Sequence, residues 1–107
     1  MDDTSQIQPP ESFANLFRSR AGILRTPIAE VVTRYELCED LACHLVEQAQ
    51  TVYHSGNASE SGVLLGFHAA ITGDGAPVTP KEASWIIQRL AELLEWQAPQ
   101  LPAIAPD

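Results

Sequence analysis

Between Thr26-Pro27 and Gly56 the chain runs without a single glycine or proline, and its apolar residues recur every seven positions. Ile28, Tyr35, Ala42 and Ala49 form one register; Val31, Cys38, Leu45 and Val52 repeat it three residues later. Leu41 and Val46 widen the stripe. A pattern of this kind can satisfy a helix and cannot satisfy a half-buried strand, whose period is two. The run predicts one helix over about 27–55, roughly 42 Å long. Thr26 supplies a capping hydroxyl before a proline suited to the first helical position. Gly56-Asn57 is its stop.

The remaining segments are shorter and also helical in period. Pro10 can open a short helix in which Phe13, Leu16 and Phe17 share a face; Arg18-Ser19-Arg20-Ala21-Gly22 ends it and begins a connector. Ser59 caps a helix carrying Val63, Leu64, Phe67, Ala70 and Ile71 on one stripe. Gly62 and Gly66 each weaken that helix by about 1 kcal/mol relative to alanine. After the loop Gly73-Asp74-Gly75-Ala76-Pro77, Thr79-Pro80-Lys81-Glu82 combines an N-cap, a proline and a capping-box glutamate. The following helix buries Ala83, Ile86, Ile87, Leu90, Leu93 and Leu94 and ends near Gln97. The expected fold is all-α: one long helix, two shorter ones folded back on it, and a short N-terminal helix. Residues 1–9 read as a disordered arm, 10–97 as one helical domain and 98–107 as a proline-rich extended tail.

Composition narrows the function classes. The 107 residues suit one domain, and 45% hydrophobic content is enough for a core. Fourteen acidic against six basic residues give a net charge of −8, which disfavours nucleic-acid and anionic-membrane surfaces. The sign is uneven. Arg18, Arg20, Arg25 and Arg34 form a basic collar opposed locally by Glu30, and beyond Arg34 only Lys81 and Arg89 are basic. With no 18-residue apolar run and an acidic start lacking a signal-like core, the expected location is the cytoplasm.

Five constellations are candidates for chemistry or recognition. Glu36, Asp40, His44 and Glu47 line the polar face of the long helix; Asp40, His44 and Glu47 are the candidate metal ligands there. Helical two-metal sites repeat Glu-x-x-His on facing helices, and this chain has only His44-x-x-Glu47. Cys38 and Cys43 lie roughly 7.5 Å apart along a helix and diverge by about 140°, so neither a disulfide nor a shared metal is expected. Cys38 reads as a small buried hydrophobe and Cys43 as a partly exposed thiol with no activating base placed by spacing. Phe13, Leu16 and Phe17 can dock in a partner's groove or fold back as a lid on their own bundle. Trp85 and Trp96 share a helix face off the main apolar stripe, with Arg89 and Glu92 between them, which resembles an interface. Gly73-Asp74-Gly75 is turn chemistry, because no phosphate-loop lysine follows it.

The runs Arg34-Tyr35-Glu36-Leu37-Cys38-Glu39-Asp40-Leu41-Ala42 and Arg89-Leu90-Ala91-Glu92-Leu93-Leu94-Glu95-Trp96 resemble a group of short proteobacterial proteins sometimes labelled "ATPase with chaperone activity". The resemblance covers roughly residues 10–96. Its label implies nucleotide hydrolysis, yet no Walker motif is present and no catalytic residue carries over. Partnership with a chaperone or an ATPase fits these residues better than hydrolysis.

The leading expectation is therefore a non-enzymatic helical module, a cytosolic adaptor or regulator that binds another protein through Phe13, Leu16, Phe17, Trp85, Arg89 and Trp96, with no cofactor. Self-association as a homodimer fits a long helix whose stripe the shorter helices cover only in part. The alternatives are a metal- or thiol-dependent small enzyme or sensor built on Asp40, His44, Glu47 and Cys43, and an acidic nucleic-acid mimic.

Overall fold

A computed structural model describes residues 8–56 and 58–101. Its element order is α1 (Glu11–Ala14), a 3-10 turn (Asn15–Phe17), α2 (Ile28–His54), α3 (Glu60–Ala70) and α4 (Pro80–Leu94). Among the described residues the only strand-like feature is an isolated antiparallel bridge between Arg18 and Leu24. The fold is all-α with one long helix, as the heptad pattern predicts. Residues 1–7 of the arm expected over 1–9, Asn57 of the α2 stop and the tail prolines Pro102 and Pro106 lie outside the described residues.

The chain divides into two units, with the boundary between Leu37 and Cys38 inside α2. In the first unit, the Pro10 carbonyl accepts from the amides of Phe13 and Ala14, so Pro10 stands at the cap of α1 and not inside it. The same one-residue shift occurs at α2. The Pro27 carbonyl accepts from Glu30 and Val31, and the helix begins at Ile28. Both prolines have their φ fixed near the value a helix entry needs and no amide to leave unpaired. Phe13 and Val31 are fully buried. The Phe13 ring lies 5.3 Å from Phe17 and 5.5 Å, edge-on, from Tyr35, within the range of favourable aromatic pairs.

In the second unit, α2 buries Cys38, Ala42, Leu45 and Ala49, a seam of mostly small side chains. The Ser55 amide continues the helical bonding to Thr51, and Gly56 ends it at φ +85°, a conformation that costs other residues a Cβ clash. The Ser59 hydroxyl accepts from the Gly62 amide at 3.0 Å and opens α3. At α4 the capping box is complete: the Glu82 amide donates to Thr79 Oγ1 at 3.1 Å, and the Thr79 amide donates to Glu82 Oε1 at 2.9 Å. The Glu82 side chain is buried in making it.

Helices α3 and α4 pack against each other. Leu64, Ile86, Ile87 and Leu90 are fully buried, each worth about 1.5–3 kcal/mol of apolar transfer. Leu93 and Leu94, expected in this face, are only half-buried, and α4 ends at Leu94 and not near Gln97. Glu95 takes the left-handed conformation at φ 61°, and the Trp96 amide turns back to the Ala91 carbonyl at 2.9 Å. No glycine announces this end in the sequence.

Candidate functional site

The polar face of α2 stays exposed: Glu36, Asp40, His44 and Glu47 are all at the surface. His44 Nδ1 lies 3.0 Å from the Asp40 carbonyl oxygen and 3.7 Å from the Asp40 carboxylate, so that nitrogen is turned onto its own helix. The described residues contain no group of three or more His, Cys, Asp or Glu side chains placed to hold a metal. Asp40, His44 and Glu47 ride one exposed face of α2 and form no such group among the described residues. Both cysteines are free thiols, Cys38 buried and Cys43 exposed. The Cys43 thiol points to Glu39 Oε2 at 4.0 Å.

The tryptophan strip is largely engaged within the fold. Trp85 is buried, with 8% of its surface exposed, and Trp96 is half-buried with its ring 5.1 Å from Tyr53. Between them, Arg89 is engaged inside the molecule. Its Nε donates to Glu39 Oε1 at 2.9 Å and its Nη2 to Glu39 Oε2 at 3.0 Å, a bidentate pair that ties α4 to α2. Its Nη1 donates to Glu92 at 3.0 Å. The Glu39 hydrogen bonds, then Glu92, hold the guanidinium pKa above its ordinary value against the opposing effect of burial. Trp85, Arg89 and Trp96 are thus fastening residues. Fifty positions separate Glu39 from Arg89, and no spacing rule could have joined them.

The N-terminal anchor resolves the same way. Phe13 is fully buried against Phe17 and Tyr35, while Leu16 and Phe17 are half-buried. Phe13 docks within its own unit and is not presented to a partner, which corrects its placement among partner-binding residues.

What the sequence did not single out is the turn that follows. The Gly22 amide donates to the Ser19 carbonyl at 2.9 Å and the Ser19 amide to the Ile23 carbonyl at 2.7 Å, closing a tight loop over Arg20, Ala21 and Gly22. Gly22 sits at φ +85°. Arg18 braces the loop from outside, its Nη1 donating to the Gly22 carbonyl at 3.2 Å and its Nη2 lying 3.6 Å from Glu11. The Arg25 amide bonds back to the Phe17 carbonyl at 2.8 Å. This braced turn leaves Ile23 66% exposed, and Ile28, at the entry of α2, 58% exposed. Arg20 and Arg25 are exposed in the same segment. The heptad pattern assigns Ile28 to the buried seam; the structure leaves it in water because the seam's buried part begins at Val31.

Two further polar atoms escape sequence reasoning. His68 Nε2 on α3 and Ser84 Oγ on α4 are buried and without a hydrogen-bond partner among the described residues. No described helix is long and apolar enough to cross a membrane. Comparison with known proteins finds no match: no family model, no curated protein and no solved structure is similar to this chain.

Proposed function

We propose that this chain is a non-enzymatic helical interaction module, a cytosolic adaptor or regulator that binds another protein. The observation that carries the reading is the braced turn. Its hydrogen bonds spend chain order on presenting Ile23, and Ile28 follows five residues later, both more exposed than any other large apolar side chain described. Scattered exposed apolar residues are ordinary. Two isoleucines close in sequence, one on a pre-ordered loop and one at the entry of α2, with arginines in the same segment, meet the general requirements of a recognition surface: little ordering cost on binding and apolar area to bury. The resemblance noted above favours a chaperone or an ATPase as the class of partner.

No observation favours the metal- or thiol-dependent alternative, whose residues do not converge, or the nucleic-acid mimic. The test is affinity capture from the native cytosol with mass spectrometry, comparing the natural chain with Ile23→Asp/Ile28→Asp and with Gln88→Ala, an exposed site on α4. A specific protein held by the natural chain and Gln88→Ala, and lost with the isoleucine variant, is expected. Capture unaffected by the isoleucine variant contradicts the reading.

A further inference from the structure

The chain carries opposite charge in two places. Residues 12–29 contain Arg18, Arg20 and Arg25 and no acidic side chain, whereas from Cys38 onward acidic residues outnumber Lys81 and Arg89 several-fold. Between two copies of a molecule of net charge −8, a basic turn meeting an acidic face is an electrostatically favourable contact. The second half of α2 offers such a face. Asp40, Cys43, His44 and Glu47 are all exposed and recur at helical spacing on one side. Asp40 and Glu47 supply carboxylates, and Cys43 supplies a small, weakly polar spot between them.

We propose that a second copy of this chain seats its Ile23 turn on the Asp40–Glu47 face of α2. Arg20 meets the carboxylates, and Ile23 is removed from water over Cys43. The turn arrives ordered, held by the Ser19–Ile23 and Ser19–Gly22 hydrogen bonds, so docking requires little rearrangement. The proposal deepens the interaction-module reading and rests on it, naming a second copy as one occupant of the turn.

Sedimentation equilibrium of the full chain at micromolar concentrations tests it. The expected result is a species of about twice 11.6 kDa or larger. Arg20→Glu, Ile23→Asp and Asp40→Lys/Glu47→Lys each weaken association about tenfold or more. Combining Arg20→Glu with Asp40→Lys/Glu47→Lys recovers part of it. All these positions are exposed, and circular dichroism of each variant is the control for folding. Ile23→Cys provides a second readout. Mild oxidation is expected to give a covalent dimer that disappears when Cys43→Ser is added. A strict monomer at high micromolar concentration overturns the proposal, as does an oligomer indifferent to these changes or a crosslink that persists without Cys43. A monomer that still captures a different protein through the turn removes the second copy and leaves the interaction module standing.

Discussion

Gly56 and Gly66 make opposite demands on the backbone, and the difference is measurable. A Cβ placed on Gly66 would meet nothing within 4 Å, and the residue sits inside α3 with an ordinary helical φ. Gly66→Ala is therefore expected to raise stability by about 1 kcal/mol, the helix-propensity difference. Gly56 has equal space but φ +85°. Gly56→Ala is expected to lower stability by about 1 kcal/mol, because strain and not crowding decides the sign. Urea denaturation of the two variants checks both. Arg89 gives a second test at this scale. Its side chain and that of Glu39 are 33% and 24% exposed, so solvent screens the pair, and Arg89→Met is expected to cost about 1–2 kcal/mol. Because the folded state raises the Arg89 pKa, the stabilisation is fully present below the ordinary arginine range and is lost only as pH rises above it. The loss on Arg89→Met should accordingly be the same at about pH 6 and about pH 9.

Helix ends show what a sequence reader can and cannot see. The start of α4 is written in four consecutive residues, Thr79-Pro80-Lys81-Glu82, and every part of the box forms. Thr79→Ala is expected to cost about 1 kcal/mol, with a matching fall in thermal midpoint. The end of α4 is not written locally. Glu95 holds a left-handed conformation that glycine would hold at less cost, so Glu95→Gly is expected to stabilise by up to about 1 kcal/mol. The body and the ends of α2 were legible, to within one residue, because its period extends over four heptads between a Thr-Pro start and a glycine stop, yet the burial of its end residues was not. Periodicity puts Ile28 and Val52 in the seam, while the structure leaves both exposed. A repeat reports which residues share a face; it does not report how far the covering elements reach.

For the whole molecule, the candidate site was legible only in part. The sequence already shows that Asp40, His44 and Glu47 share one helix face; that no group of three or more such side chains among the described residues is placed to hold a metal is a fact of the structure. Trp85, Arg89 and Phe13 looked available because their partners, such as Glu39 fifty positions away and Tyr35 across a loop, have no local signature. Once those residues are engaged internally, the exposed apolar surface near the arginines is the turn at Ile23 and the helix entry at Ile28. The most direct measurement of the central claim is site-specific photo-crosslinking in cells. A photoreactive residue is placed at position 23, at 28, or at the exposed Gln88. Discrete covalent adducts to protein at 23 and 28, with none at 88, are the predicted result. Adducts absent at 23 and 28, or equally abundant at 88, would contradict the account.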